Sequence, residues 1–487
     1  MQVKKLIEKI KKSWLIKRTT TILFMLILVA LFIALTLWIN NLNLDPIDFT
    51  AEKLYTLTET SKERVKNIEK DVNIYFVGYK DGDSTIDLAK QYHNVNEKIN
   101  VEVVDSTSRP DLVEKYGIES GSNGVIVESG EKSKILSSAD FYTYDPSTYE
   151  QIDITEEKLT NSVLYVVAEK IPKVYFLEGY SEFSVSLNMN YLVTFLGNEV
   201  TTYDTVNLLT NGKVPEDCDT LVITSPEKDF DDVATNAITE YINNGGNILW
   251  FNLVVSEEQN FTNVNKILAM YGVNPFNVGV IRETDSSKMM TDAPSIIIPN
   301  VSYSTITKNI PGVLLVNATK LNFVSDEELE NLKVTKTTLL EASSASYFRT
   351  NFNITSNSKQ TGEEEGPFTI GAELQKVVKE ANEETNESEK VSKLVIYGEN
   401  LFISDYTLSS SSSYPIISYS YNKDLVMDSI AYLVDRQEDI IIRKDTNTVN
   451  YTATVEQDNI IQAIIFAIPV IIIFAGILVW QHRRRKK

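Results

Sequence analysis

The sequence predicts an α/β protein in which helices cover mostly parallel β-sheets, with one transmembrane helix at each end of the chain. Short apolar runs such as VYFL, LVIT and ILWF alternate with segments of helical periodicity, an order typical of parallel α/β sheets. These runs show no polar–apolar alternation, as expected for strands covered by helices on both faces. Two longer apolar runs near the termini predict the membrane helices.

The two terminal runs have the length and the flanking charges of membrane anchors. Residues 22–39 and 460–480 contain no charged residue, and each is close to the ~20 residues that a helix needs to cross the hydrocarbon core. Lysine and arginine precede the first run and follow the second, and such residues tend to remain in the cytoplasm. The first run is long for a signal peptide and has no A-x-A-like cleavage site after it. The prediction is a two-pass plasma-membrane protein with cytoplasmic tails at 1–18 and 481–487, transmembrane helices at 19–40 and 459–480, and an extracytoplasmic region at about 41–459.

The formal charge differs sharply between the tails and the region between the anchors. A net +6 precedes the first apolar run and a net +5 follows the second, so the overall charge of −21 leaves −32 on the segment between them. A region this acidic repels nucleic acid, because proteins that bind nucleic acid neutralise its phosphates with lysine and arginine. We therefore predict contact with membrane lipid through the two helices and no binding of nucleic acid.

Residues 41–170 are predicted to form a first α/β domain. Strands at 72–78 and 99–105 alternate with helices, and a hairpin of GVIVES and KSKILS follows. The order strand, helix, strand, helix, hairpin indicates a thioredoxin-like unit with a largely parallel sheet. Cys218 is the one cysteine of the chain. The unit therefore has no CxxC motif, and we predict no redox chemistry for it.

Residues 171–275 are predicted to form a second domain, a doubly wound and mostly parallel sheet. Its strands are PKVYFLEG, DTLVITSP and NILWFNL, and helices separate them. The helix at 230–243 has apolar residues at helical spacing and is followed by a Gly-Gly pair, which ends it.

Residues 276–458 are predicted to continue the second domain with less regular structure. The stretch at 355–392 is polar, acidic and poor in apolar residues, and this composition predicts a mobile surface insertion. Regular structure is expected to resume with the strand KLVIYGEN at 393–400 and the helix LVMDSIAYLV.

No motif of a nucleotide-binding or catalytic site occurs in the chain. A GxxxxGK[ST] loop and a GxGxxG turn that opens a helix are both absent, so the chain is predicted not to be an ATPase. His482 lies in the predicted cytoplasmic tail, which leaves His93 as the one extracytoplasmic histidine. That region therefore lacks the usual ligands of a zinc site, and His93, on a polar amphipathic helix, is predicted to be a solvated surface residue. We predict no catalytic residue, no cofactor and no metal.

The most suggestive local feature is the turn EGYSE, which consists of Glu178, Gly179, Tyr180, Ser181 and Glu182. The turn follows the first strand of the second domain, and ligands of open α/β sheets bind beyond the carboxyl ends of strands. Ser225 and Pro226 of TSPEKD take the equivalent position after another strand. We therefore predict that the two loops line one cleft.

Two interpretations of the EGYSE turn remain open. Glu178 and Glu182 are a pair of carboxylates suited to acid–base chemistry or to cation binding. Alternatively, Gly179 permits the tight turn while Ser181 and Glu182 cap the helix that follows.

Four stretches of the chain carry a family resemblance. They are DFTAEKLYTLTETSKERVKNIEKDVNIYF (48–76), KVYFLEGYSE (173–182), the stretch from VPEDCDTLVITSPEKDF to YINNGGNILWF (214–251), and the carboxyl-terminal KLVIYGENLFISD, LVMDSIAYLVDRQEDI and RRRKK. Together they resemble the GldG-like auxiliary proteins of ABC transporters, a group named from bacterial gliding motility. The resemblance covers nearly the whole chain in order and implies an ABC permease and an ABC ATPase as partners.

One departure from that family lies in the EGYSE turn. The family's strand ends in a Gly-His-Gly-Glu-like turn, to which Gly179 and Glu182 are similar. Tyr180 and Ser181 stand where the resemblance leads us to expect His-Gly. A role of the family's histidine is therefore not carried over to this chain.

Two functions follow from these observations. The first is a non-catalytic, membrane-anchored auxiliary subunit of an ABC transport system, which presents a large extracytoplasmic domain to the permease or its substrate. The second is an extracytoplasmic hydrolase or carbohydrate-binding module, which uses the loops at the carboxyl ends of the parallel strands to bind a cell-surface or polysaccharide ligand. We predict the first, and hence that the chain is not an enzyme.

Overall fold

The structure is a computed structural model. It describes residues 26–27, 29–33, 56–80, 82–118, 122–144, 151–252, 254–255, 261–274, 278–381, 388–409, 412 and 414–436. The described residues from Leu57 onward belong to one compact unit.

A short part of the first predicted membrane helix is described. Residues 26–27 and 29–33 are helical, and their side chains are exposed. The other residues of the 19–40 prediction and the whole 459–480 prediction lie outside the described residues. Within the described part of the chain, no helix has both the length and the apolar character needed to cross a bilayer.

The amino-terminal part of the compact unit is built around a small sheet. Its elements are α1 (Glu59–Lys66), β1 (Val72–Val77), α2 (Ser84–Val95), β2 (Ile99–Val104), α3 (Pro110–Tyr116), β3 (Gly124–Ser129), β4 (Lys132–Ser137), β5 (Tyr142–Tyr144), β6 (Gln151–Asp153) and α4 (Thr155–Val167).

The strand order of this sheet is β2-β1-β3-β4. β1 pairs with β2 in parallel and with β3 antiparallel, and β3 forms an antiparallel hairpin with β4. The predicted order of strand, helix, strand, helix and hairpin is therefore present, but the predicted largely parallel sheet is wrong, because two of its three strand pairings are antiparallel. Glu156, at the start of α4, is buried and accepts hydrogen bonds from the backbone N–H and the hydroxyl of Thr58, both at 2.7 Å. Because Thr58 caps α1, this carboxylate joins the first and the last helix around the sheet.

The larger part of the unit contains the remaining elements. They are β7 (Lys173–Leu177), α5 (Val185–Asn188), α6 (Asn190–Asn198), β8 (Thr202–Val206), α7 (Leu208–Asn211), β9 (Thr220–Thr224), α8 (Asp232–Asn243), β10 (Asn247–Phe251), α9 (Thr262–Ala269), β11 (Val280–Arg282), β12 (Ile296–Ile297), β13 (Asn300–Val301), β14 (Leu315–Val316), α10 (Asp326–Asn331), β15 (Val334–Glu341), β16 (Tyr347–Arg349), β17 (Glu364–Glu365), β18 (Thr369–Lys379), β19 (Lys390–Tyr397) and α11 (Asn422–Leu433).

An eight-stranded sheet forms the centre of this part, in the order β13-β15-β18-β19-β10-β9-β7-β8. The five strands from β19 to β8 are parallel. The three strands at the other end pair antiparallel. The predicted α/β class is therefore confirmed. The predicted mostly parallel arrangement holds for the five strands from β19 to β8, whereas the three strands at the other end make the sheet a mixed one.

Hydrophobic side chains are buried on both faces of the parallel strands. Val174, Phe176 and Leu249 belong to one core cluster, together with residues of α6 and α11. Tyr175 and Trp250 belong to the second cluster, together with residues of α8 and α9. Because successive side chains point to opposite faces of a strand, both faces require apolar residues. This requirement explains the unbroken apolar runs of the sequence.

The predicted mobile insertion at 355–392 is wrong for much of its length. Residues Thr369–Lys379 form β18, which lies inside the sheet between β15 and β19. Ile370, Ala372 and Leu374 are fully buried at every second position. The acidic residues that flank β18 dominate the composition of the segment. The apolar residues at every second position of β18 nevertheless determine that it forms a strand.

The burial of Leu374 gives a direct test of this strand. We expect Leu374→Ala to lower the free energy of unfolding by about 2–4 kcal/mol, because it removes buried methyl groups and leaves a cavity. Leu209→Ala is the matched control, since Leu209 is 63% exposed and its loss is expected to cost less than about 0.5 kcal/mol. Urea unfolding of the two variants measures both values. Equal, small effects would contradict a central strand at 369–379.

Candidate functional site

An open cleft of about 700 Å³ lies where the parallel strands end. Glu182 follows β7, Glu227 follows β9, Val254 follows β10 and Asn400 follows β19, and all four residues line the cleft. Parallel strands have their carboxyl ends at one edge of the sheet, so loops from distant parts of the chain meet there.

Glu178 and Gly179, the first residues of the EGYSE turn, determine the backbone conformation of the turn and do not line the cleft. The backbone N–H of Glu178 donates to the carbonyl of Val206 at 2.9 Å, at the end of the neighbouring strand. Gly179 has a φ of +99°, and a Cβ at this position would lie 3.2 Å from Nδ2 of Asn207. A left-handed backbone close to another side chain favours glycine. Of the predicted pair Glu178 and Glu182, only Glu182 lines the cleft.

Tyr180 holds the turn against the adjacent helix. Its hydroxyl donates to the carboxylate of Asp231, which also caps α8 by accepting from the N–H of Ala234 at 2.9 Å. The ring packs edge-on against Phe230, with the centroids 4.9 Å apart. Burial and the neighbouring Asp231 carboxylate raise the pKa of Tyr180 above its usual range. Tyr180 is therefore a neutral packing residue.

Hydrogen bonds join the EGYSE loop to the loop after β9. The N–H of Glu227 donates to the carbonyl of Tyr180 at 2.8 Å, and the hydroxyl of Ser181 donates to Oε1 of Glu227 at 3.4 Å. Ser181 also accepts from the N–H of Phe183 at 3.0 Å. The structure thus brings together the two loops that the sequence predicts to share a cleft.

Ser225 and Pro226 have structural positions behind this cleft. Both are buried, and Ser225 has a φ of +44°. Its N–H donates to the carbonyl of Phe251 at 2.7 Å, at the end of β10. Neither residue is among those that line the cleft; the residue that extends into it from this loop is Glu227.

Glu399 is a buried carboxylate next to the cleft that sequence reasoning missed. It precedes Asn400 and accepts from the backbone N–H groups of Leu401 at 2.9 Å and Phe402 at 2.8 Å. Burial raises the pKa of the Glu399 carboxyl to about 8, although these backbone donors partly oppose the shift. Its position at the carboxyl end of the strand predicted at 393–400 is the signal that could have identified it.

Arg282 supplies a positive charge to the cleft. It is the last residue of β11, and both Arg282 and Val280 line the cleft while Ile281 between them is fully buried. The Nε atom of Arg282 is buried without a hydrogen-bond partner. In the described part of the chain no carboxylate lies within 4.0 Å of this guanidinium as an ion pair. The irregular sequence around β11 gave no signal for this residue.

Exposed apolar side chains form the rim of the cleft. Leu187 is 73% exposed, Tyr406 50% and Phe352 42%, and all three line the cleft. The hydroxyl of Tyr406 accepts from Nδ2 of Asn188 at 2.8 Å, which holds the tyrosine beside α5. Asp405 accepts from the N–H of Asn190 at 2.7 Å, so this segment also caps α6.

The chemical groups of the cleft are suited to binding. It combines two carboxylates, one guanidinium, the amides of Asn317 and Asn400, and the apolar rim. His93 lies on α2, and its Nδ1 is 2.8 Å from the carbonyl of Ile99; it is not among the cleft residues. No cluster of metal-ligating side chains occurs among the residues that the structure describes.

Comparison with known proteins assigns the chain to a family. A family model described as "ABC-type uncharacterized transport system" matches residues 171–429, which is more than half of the chain. The chain belongs to this ABC transporter auxiliary family. A second model, a domain of unknown function (DUF7088), matches residues 51–144. Membership of the auxiliary family indicates association with an ABC transport system and a transport-related auxiliary role.

Two solved structures are similar to parts of the chain at low sequence identity and low TM-score. The chain is similar to the "mmIFT52 N-terminal domain", with 15% identity and a TM-score of 0.37, over 54% of this chain and 97% of that one. It is also similar to a ThuA-like protein from Bacteroides uniformis, with 13% identity and a TM-score of 0.33, over 55% of this chain and 93% of that one. No curated protein matches the chain.

The raised pKa of Glu399 predicts a pH-dependent stability of this auxiliary protein. Native Glu399 stays protonated up to about pH 8, whereas a glutamate in an unfolded chain ionises near ~4.3. The native state therefore holds one more proton between these two values. The stabilisation from this extra proton is complete at a pH below the pKa of glutamate in the unfolded chain, and it is lost as the pH rises through about 8.

Glu399→Gln should remove this dependence. We expect the unfolding free energy of the wild type, relative to the variant, to fall by roughly 2–5 kcal/mol between about pH 4.5 and about pH 8.5. Urea unfolding across this range measures the difference. Glu330→Gln, at an exposed position, is the control and should leave the dependence unchanged. Parallel curves for the wild type and Glu399→Gln would show that the buried carboxyl does not titrate in this window.

Proposed function

We propose that the protein is a non-catalytic, membrane-anchored auxiliary subunit of an ABC transport system that presents a ligand-binding cleft outside the cell. The observation that carries this proposal is the cleft at the carboxyl ends of β7, β9, β10 and β19, in a chain of the ABC transporter auxiliary family. Its partners are an ABC permease and an ABC ATPase, in line with the resemblance to GldG-like proteins. The amino-terminal part of the compact unit, from α1 to α4, serves as a thioredoxin-like support without redox chemistry.

The proposed topology has both termini in the cytoplasm and residues of about 41–459 outside. The exposed apolar side chains of the helical residues 26–27 and 29–33 support contact with lipid in this part of the chain, because an exposed apolar surface is costly in water. The basic tails support the same orientation in the plasma membrane. Both anchors contact lipid in this arrangement.

A carbohydrate-directed role of the same cleft is the second candidate. Glu182 and Glu227 line the cleft together, and glycoside hydrolysis uses a pair of carboxylates across a substrate. A cell-surface polysaccharide would then be bound or hydrolysed at these residues. Because the chain belongs to an auxiliary family, we favour binding of the polysaccharide over its hydrolysis.

Co-purification tests the proposed assembly. We expect the tagged full chain, extracted from its native membranes in a mild detergent, to retain an ABC permease and an ABC ATPase in stoichiometric amounts, because the complex forms within the membrane. A tagged two-span protein of unrelated family, extracted in the same way, is the control. A chain that elutes without either subunit would contradict the proposal.

Cysteine labelling tests the topology. Burial raises the pKa of the single native thiol, Cys218, to about 12, so its thiolate, the reactive form, is scarce. We expect Thr361→Cys, at an exposed position, to react with a membrane-impermeant maleimide on intact cells. Gln2→Cys should react only after the cells are permeabilised, and the wild type supplies the background. The reverse pattern would place the large region in the cytoplasm.

A further inference from the structure

The charged residues of the cleft are divided by sign between different elements. Glu182 and Glu227 come from the loops after β7 and β9, which are hydrogen-bonded to each other. Arg282 comes from β11, which pairs with β16 in a separate small sheet. The cleft therefore has a negative part, next to the eight-stranded sheet, and a positive part, on the small sheet.

These charges do not neutralise one another. No ion pair within 4.0 Å involves Glu182, Glu227 or Arg282 among the described residues. By contrast, Arg349 on the adjacent strand β16 pairs with Glu363 at 2.7 Å. Since a nearby opposite charge favours the charged form of an ionisable group, the three cleft residues are suited to receive opposite charges from a ligand.

An apolar surface lies in the same cleft. Leu187 and Phe352 are exposed there, and their contact with an apolar ligand group would remove both from water. The amides of Asn317 and Asn400 are also in the lining, and such groups donate and accept hydrogen bonds. A ligand that matches the cleft has two opposite charges, an apolar group and peptide-like polar atoms.

We propose that the cleft binds a zwitterionic ligand with an apolar side group, of the class of short peptides with free termini. Its ammonium group lies against Glu182 and Glu227, and its carboxylate lies against Arg282. This inference rests on the proposed function of the cleft as a binding site and specifies the class of ligand. A neutral sugar would supply no opposite charge to any of the three residues, and a polyanion would be repelled by the two glutamates.

Binding of capped dipeptides tests this inference directly. The probe is Leu-Phe, titrated calorimetrically into the full chain in a polyoxyethylene detergent, which is neither a sugar nor a zwitterion. We expect N-acetylation of the probe, which removes its ammonium, to weaken binding at least about tenfold, and amidation of its carboxylate to do the same, because each cap removes one charge contact. Glycerophosphocholine, a zwitterion from lipid, and a neutral trisaccharide complete the set.

Charge variants connect each terminus of the probe to its residue. Arg282→Gln should weaken binding of Leu-Phe about tenfold, and amidation should then cost little more. Glu182→Gln and Glu227→Gln should show the same relation to N-acetylation. This lack of additivity identifies a direct contact, because general damage to the fold would not depend on the cap. Glu330→Gln is the matched control, and an unchanged unfolding midpoint verifies that each variant folds.

The outcomes separate this inference from the proposed function. Equal binding of free and capped dipeptides, or no binding of any zwitterion, would overturn the inference while co-purification with the transporter stands. Binding of the trisaccharide that the charge variants leave unchanged would overturn it in favour of a carbohydrate. Binding of glycerophosphocholine alone would overturn the peptide as the source of the zwitterion.

Discussion

The parallel alignment of β7, β9, β10 and β19 is the constraint on which the rest of the molecule depends. Parallel strands require a crossover connection, usually a helix, on one face or the other before the chain returns to the sheet. The returning helices bury both faces, which gives the two core clusters. The same alignment brings four loops together at one edge. Core and cleft are thus two consequences of one arrangement of strands.

The acidic residues at this edge have two distinct uses. Asp231 and Asp405 accept backbone N–H groups at the first turns of α8 and α6, and a carboxylate there is favoured by the helix dipole. Glu399 accepts backbone donors in a buried position. Glu182 and Glu227 cap no helix. They are exposed, so their charge faces the space of the cleft.

How much of the fold follows from the sequence depends on the type of strand. β7, β9 and β10 are buried on both faces, so their continuous apolar runs identify them directly. In its first half, β18 has its apolar side chains only at alternate positions, although Gly371 and Glu373 between them are buried too. It also lies between acidic stretches, so its composition does not identify it as a strand. β11 has three residues, too few for any periodicity. The position of the cleft after β7 and β9 could be predicted, although Glu182 alone of the seven predicted residues lines it. The part around Arg282 depends on packing between distant segments.

The EGYSE turn keeps its shape without the histidine that the sequence resemblance leads us to expect. Tyr180 extends away from the cleft lining and binds the cap of α8, so it stabilises the turn from behind. Gly179 permits the left-handed backbone, and Ser181 joins the turn to Glu227. The turn therefore keeps its shape without a histidine. Because its middle residues are occupied with structure, recognition of a ligand at this loop depends on Glu182, the residue of the turn that lines the cleft.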